Sequence, residues 1–390
     1  MLYNLLQQQN LQNWLDGHGL YWVVRLMFNL EFRAFFAVVL GFVLVLVSGK
    51  RVIRWLVAQK VGDLPEFYNK DLNKLMASKA ATPTMGGILI CASILVTVFM
   101  LADMRNFLVR LGLLVMLWLA VLGGIDDWLK LTARRRAPNA REGLFAWEKL
   151  LFQLGIGVIA GIFLYRHGDT AVAHVLNLPF QRTYVPGSDP VALESGLIHL
   201  SAFAYVLIAT LLIAGTSNAV NLTDGMDGLA PGTLAIASFV LFGLAYLAGV
   251  YEVARELLVP HIEDADEMMI IAGAMAGACL GFLWFNASPA MVFMGDTGSL
   301  PLGGLVAYIA ITIRQEVLLL VVGGVFFMEM MSVMLQVVYF RFSGGKRIFL
   351  CSPIHHHFQL KGWSEQQVVM RFWVLGVIFA MIALVSIKLR

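Results

Sequence analysis

Ten predominantly apolar stretches run along the chain, at about 33 to 48, 85 to 102, 107 to 125, 147 to 166, 197 to 217, 229 to 250, 268 to 285, 297 to 313, 317 to 340 and 367 to 388. Each approaches the roughly 20 residues a helix needs to cross a bilayer. The pattern therefore predicts an all-α polytopic membrane protein of about ten transmembrane helices. The eighth stretch is interrupted by Gly298, Ser299, Pro301, Gly303 and Gly304, which predicts a broken helix around a polar cavity. Residues 1–32 carry Leu2, Leu5, Leu6, Trp14, Leu20 and Trp22 among glutamines and charges. This segment reads as amphipathic, lying along the membrane surface, and no cleavable signal peptide is expected in it. Residues 33–390 read as one transmembrane domain without repeats, and the longest loop, near 167 to 196, is polar with Pro179, Pro186 and Pro190.

Composition agrees with that reading. A chain with 59% hydrophobic and only 14% charged residues and a mean hydropathy of +0.78 holds more apolar side chain than one water-soluble core can bury. The net charge of +3 is spread over short loops, so nothing points to nucleic acid as a partner. Cys91, Cys279 and Cys351 lie far apart with no metal-ligand spacing.

Loop charge changes the picture by giving it an orientation. The loops after stretches one, three and nine hold seventeen Lys and Arg: Lys50, Arg51, Arg54, Lys60, Lys70, Lys74 and Lys79, then Lys130, Arg134, Arg135, Arg136, Arg141 and Lys149, then Arg341, Lys346, Arg347 and Lys361. The even-numbered loops hold six, namely Arg105, Arg110, Arg166, Arg182, Arg255 and Arg314. By the positive-inside rule the odd loops are cytoplasmic, and both termini are periplasmic.

On this topology every polar cluster that abuts or interrupts an apolar stretch falls on the cytoplasmic side. Asp126 and Asp127 end the third stretch, with Lys130 one turn later. A solvated helix end is the bland reading, but adjacent carboxylates repel unless a cation or a shared proton relieves them, and acids at membrane depth are usually functional. Asp224 and Asp227 are three apart, share a face if a helix opens there, and are flanked by Gly225 and Gly228, which permit close backbone approach. Asn221 and Thr223 could cap the sixth helix instead. Capping does not explain so many carboxamides and carboxylates together.

Asp296, between glycines in Met-Gly-Asp-Thr-Gly, suits a hard cation that takes oxygen ligands and keeps several waters, or else caps a helix. An intramembrane aspartyl protease pattern would need glycine where Phe293 stands. The run His355, His356 and His357 suggests Zn²⁺, yet adjacent side chains diverge and no Cys completes a site; phosphate contact by one or two of them is preferred. Lys79 with Thr82-Pro-Thr84-Met-Gly-Gly adds a cation and hydroxyls at the mouth of the second stretch, charge that a diphosphate would need. Glu329 and Gln336, in the ninth stretch, read as interhelical hydrogen-bond partners, and Glu329 is left out of the site.

Together these motifs resemble those of the polyprenyl-phosphate N-acetylhexosamine-1-phosphate transferases, from about residue 33 to the end. The elements that carry the resemblance are Thr82-Pro-Thr-Met-Gly-Gly87, Asp126-Asp127, Asn218-Ala-Val-Asn-Leu-Thr-Asp-Gly-Met-Asp-Gly-Leu229, Gly281-Phe-Leu-Trp-Phe-Asn286, Phe293-Met-Gly-Asp-Thr-Gly-Ser299 and Pro353-Ile-His-His-His357. The triple histidine after proline favours the muramoyl branch over the GlcNAc-1-phosphate branch. The resemblance implies Mg²⁺, an inner-membrane location, a cytoplasmic cleft, a homodimer, and transfer of phospho-MurNAc-pentapeptide from UDP-MurNAc-pentapeptide to undecaprenyl phosphate.

By the same resemblance Asp296 is the metal ligand, and Asp126 and Asp127 handle the lipid phosphate or its proton. Asn221, Asp224, Asp227 and Asn286 form the nucleotide-side polar cluster, Phe293 lies under the uracil, and His355 and His356 face phosphate. Lys79, Thr84, Lys130 and Gln336 line the cleft. Two departures stand near the site: the stretch Val61 to Ser78, and Gln359 where the family carries an acid. The expected mechanism is in-line attack by the lipid phosphate, with covalent catalysis on Asp127 as an alternative. A sister transferase acting on UDP-GlcNAc and a secondary transporter are the rival functions.

Overall fold

The computed structural model describes residues 2–59, 79, 82–136, 143–188 and 192–388, and of residues 134–136 and 388 the backbone alone. The stretch Val61 to Ser78 and the loop cations Lys60, Lys70, Lys74 and Arg141 lie outside the described residues. Three short helices, α1 (Leu2–Leu6), α2 (Gln9–Gly17) and α3 (Tyr21–Phe28), precede α4 (Leu30–Ala58). Then come α5 (Gly87–Leu101), α6 (Phe107–Arg136), α7 (Ala146–His167), α8 (Ala202–Thr223), α9 (Leu229–Gly249), the short α10 (Tyr251–Glu256) and α11 (Met268–Asn286). The chain ends with α12 (Asp296–Thr312), α13 (Glu316–Val322), α14 (Gly324–Phe342), α15 (Ile354–Leu360) and α16 (Glu365–Lys388).

All ten apolar stretches are helical, which makes the protein an all-α polytopic membrane protein. Eight helices among the described residues are long and apolar enough to cross a bilayer. The two that fall short are α5, of 15 residues, and α12, of 17. α12 is the interrupted eighth stretch, and it runs through the middle of the bundle, buried over its entire length. It is packed against α6 and α8, while α11 packs on α4 and α9.

Small residues let the backbones touch, as is usual where lipid supplies no hydrophobic drive between helices. A Cβ on Gly87 would lie 2.1 Å from the backbone N of Gly298, and one on Gly303 would lie 2.6 Å from the carbonyl of Thr216. Pro301 cannot donate to the carbonyl of Thr297 four residues back. The Cys91 thiol faces that oxygen instead, at 3.7 Å.

The ninth stretch is divided in two, since Gly323 separates α13 from α14. The phenyl ring of Phe379 lies where a Cβ of Gly324 would be, 2.6 Å away, so the paired glycines let α16 close on this joint. Beyond it α14 exposes Met331, Met334, Leu335, Val337, Val338 and Phe340, the apolar surface of a helix that stands partly clear of the bundle.

At the end of the bundle remote from residues 126, 224 and 296, polar anchors tie the loops down. Arg33 pairs with Glu267 at 2.7 Å beneath the ring of Tyr3, and Asn4 bonds Asp103 and the N–H of Met104. Arg314 donates to the carbonyl of Val175 in a two-stranded ribbon, Val175–Leu176 with Ile198–His199. The amphipathic N-terminal helices are thereby attached to the loop between α5 and α6.

Candidate active site

Two close approaches build the site. A Cβ on Gly123 would sit 2.1 Å from the carbonyl of Asp296, so only glycine lets α6 press against the start of α12. The loop before α12 is held from the other side, where Phe293 donates to the carbonyl of Pro83 and accepts from Gly86, and Met294 accepts from Gly87, each at 2.8 Å. This short ladder fixes the Thr82-Pro-Thr-Met-Gly-Gly87 motif against the Phe293 motif. Gly295 turns the chain at φ +72°, where a side chain would strike Asp127 and the Thr84 hydroxyl.

The first turn of α12 leaves N–H groups without helical partners, and carboxylates take them. Asp127 accepts from the N–H groups of Asp296 and Thr297 at 3.2 and 2.9 Å and from the Thr297 hydroxyl at 2.6 Å. Asp224, half-buried beyond the end of α8, accepts from Gly295 at 3.1 Å. Burial, reinforced by the neighbouring Asp296 charge, pushes the Asp224 carboxyl up to about 7.

Carboxylate oxygens of Asp126, Asp127 and Asp296 lie within 4.8 Å of one another, all three residues buried. Lys130 and Lys149 neutralise them: Lys130 lies 2.8 Å from Asp126 and 3.3 Å from Asp296, and Lys149 lies 2.6 and 2.8 Å from the same two groups. Asn221 donates to the other Asp296 oxygen at 2.7 Å and to Ser299 at 2.9 Å. Three acids face two ammonium groups, an imbalance that fits a divalent cation with oxygen ligands. Both oxygens of Asp127 are engaged by α12, whereas Asp126 and Asp296 each turn one oxygen to the two lysine ammoniums, which a cation could replace at Asp296.

A second group lies beside the first. Lys79 reaches Asp227 at 2.6 Å and Glu365 at 2.5 Å, Glu365 also accepts from the Asp227 N–H, and Asp227 accepts from Ala290 at 3.0 Å. Phe293 is half-buried with the Lys79 ammonium 6.0 Å from its ring centre. Asn286 accepts from Gly228 and donates to the carbonyl of Val292, holding the Asp227 turn against the Phe293 loop. Thr84 is buried beside Gly295.

The histidines occupy three environments. His355 is wholly buried with Nδ1 3.1 Å from Glu329. His356 sits 3.3 Å from the Gln359 oxygen, and burial, with His355 beside it, pushes its imidazole down to about 3. His357 accepts from the N–H of Leu350. Gln336 is spent on the same loop, accepting from Ile348 and Phe349 and donating back to Phe349.

Four contributors were not singled out from the sequence for this site: Lys149, Glu365, Thr297 and Glu329. Lys149 was visible only as one loop cation among many, and Glu365 as the start of the last helix. For Glu329 a signal existed, because an acid seven residues before Gln336 shares its helix face.

The fold and this cluster define a multi-pass membrane protein with a buried site of acids and lysines that could hold a metal ion. The family described as Glycosyl transferase family 4 matches residues 109–314, and the chain belongs to that family. It is 44% identical over 358 residues to the phospho-N-acetylmuramoyl-pentapeptide-transferase of Desulfotalea psychrophila, covering 92% of this chain and 93% of that one. Proteins of the same name from Oleidesulfovibrio alaskensis and Thermodesulfovibrio yellowstonii are each 40% identical, the first over 93% of this chain and 94% of its own, the second over the full length of both.

Proposed function

We propose that the protein transfers phospho-MurNAc-pentapeptide from UDP-MurNAc-pentapeptide to undecaprenyl phosphate, releasing UMP and forming the first lipid-linked intermediate of peptidoglycan synthesis. The observation that carries this reading is the Asp126, Asp127 and Asp296 cluster with its two lysines, in a chain similar from end to end to transferases of that name. The reading has the cleft facing the cytoplasm from the inner membrane, with both termini periplasmic, supported by the excess of basic residues in the odd loops. Two copies would associate as a homodimer.

Mg²⁺, held by Asp296, would supply neutralising charge for the diphosphate. Lys130 and Lys149 keep 33% and 20% of their side chains exposed, so both can leave the carboxylates for phosphoryl oxygens when substrate arrives. With the metal on Asp296, that movement leaves Asp126 free of its lysines to take the proton from undecaprenyl phosphate. Its oxygen then attacks the sugar-bearing phosphorus in line, the bond from that phosphorus to the bridging oxygen breaks, and UMP leaves. Asp127, bound to the start of α12 through three hydrogen bonds, holds Asp296 in register. Phe293, Asn221, Asp224, Asp227, Lys79 and Thr84 form the nucleotide side, and His355 and His356 face the diphosphate.

The test supplies purified protein with undecaprenyl phosphate and either UDP-MurNAc-pentapeptide or UDP-GlcNAc, with Mg²⁺ or with chelator, and measures UMP release. Metal-dependent release with the muramoyl donor is expected. Release with UDP-GlcNAc alone would transfer the protein to the sister activity, and none with either donor would overturn the reading.

A further inference from the structure

His355 and Glu329 stand apart from the polar network around them. Both side chains have zero exposure, and one imidazole nitrogen lies 3.1 Å from a carboxylate oxygen. Neither oxygen of Glu329 and neither nitrogen of His355 makes a contact of hydrogen-bonding geometry among the described residues, so the 3.1 Å approach is an ion-pair distance rather than a formed hydrogen bond. An acid buried in a membrane helix without a partner is costly, so an imidazole is the group that makes Glu329 tolerable there. The imidazole is also fixed on its other edge, since a Cβ on Gly225 would lie 2.4 Å from Nε2. Glycine at 225 lets the ring lie edge-on against the turn that carries Asp224, whose carboxylate binds the N–H of Gly295 beside Asp296.

We propose that Glu329 is the positioning residue for His355. Its carboxylate keeps the ring proton on Nδ1, so that Nε2 is held against the Asp224–Gly225 turn that borders the donor's phosphates. A carboxylate behind an imidazole sets both tautomer and orientation and supports the charged ring. The pairing joins α14 to α15, which makes the histidine's placement depend on the helix beyond Gly323. This inference rests on the phosphotransferase reading above, because it takes the donor's phosphates to lie beside the turn that the ring supports.

The test combines kinetics with a readout that needs no turnover. In Glu329→Leu, kcat for UMP release should fall about ten- to a hundredfold with the donor KM within threefold of wild type. Glu329→Asp should recover part of that loss. Glu329→Leu combined with His355→Asn should be no slower than His355→Asn alone, because residues acting as one unit are not additive. Independently, ¹⁵N spectra of histidine-labelled protein should show His355, assigned by its disappearance in His355→Asn, with the proton on Nδ1 in wild type and not in Glu329→Leu. A folded Glu329→Leu protein with wild-type kcat, multiplicative losses in the double variant, or a wild-type ring protonated on Nε2 would each overturn the proposal. Should the wild type release no UMP, the phosphotransferase reading fails, and the spectra still decide whether Glu329 sets the ring.

Discussion

Three hydrogen bonds from the start of α12 end on Asp127, whereas Asp126 meets two lysines and the N–H of Leu144. The two adjacent acids should therefore respond differently to the same change. Asp127→Asn weakens the cap of a helix start, a loss of about 1–2 kcal/mol, and should lower the melting temperature in detergent along with activity. Asp126→Asn should lower kcat for UMP release roughly a hundredfold or more with a smaller change in melting temperature. Equal melting shifts for both variants would contradict this division of roles.

His356 gives a second difference at the same scale. Its folded imidazole titrates near 3, below the roughly 6.5 of an unfolded chain. Between those values the unfolded state binds a proton that the folded state refuses, so this group's effect is to lower stability as pH falls below about 6.5, by roughly 1.4 kcal/mol per pH unit. Asp224, raised to about 7, acts with the opposite sign, since the folded state keeps its proton where the unfolded state has lost it. His356→Gln should thus lose less melting temperature than wild type between pH 7 and pH 5. A parallel loss in both proteins would show that the imidazole is protonated in the folded state.

Among the elements, α12 decides most of the site. Its glycines and Pro301 made it the least helical stretch by sequence, yet Gly298 and Gly303 allow α5 and α8 to approach within backbone contact, and Gly123 on α6 allows the same from a third side. Substitution at the contact should be felt in catalysis beyond its effect on stability. Gly123→Ala forces a Cβ against the Asp296 carbonyl, an overpacking cost of about 1–3 kcal/mol. Displacing Asp296 by even an ångström should also reduce activity about a hundredfold. A variant that melts lower while keeping wild-type kcat would show that the contact serves packing alone. The division of the ninth stretch at Gly323 belongs to this scale too, because a hydropathy run continues through a joint that only packing against Phe379 reveals.

For the whole molecule, orientation is the property that can be checked without substrate. An even number of crossings with basic odd loops leads the positive-inside rule to predict both termini on the periplasmic side. Alkaline phosphatase fused after Arg390 should then be active, and the same enzyme inserted at Gly345, in the loop between α14 and α15, should be silent. The opposite pattern would turn the cleft outward, away from any cytoplasmic nucleotide donor.

The apolar runs by themselves determined that this chain is a bundle of helices in lipid, because apolar length alone selects that solvent. They also showed where polar chemistry interrupts the runs, since carboxylates and histidines at membrane depth persist only with partners. What the linear order did not carry was partnership. Lys149 reaches Asp126 and Asp296, and Glu365 reaches Lys79, 286 positions away in the chain, Gln336 holds a loop, and Glu329 meets His355 on the neighbouring helix. Such pairings depend on interhelical distances set by glycine contacts in three dimensions, and these have no local signature in the sequence.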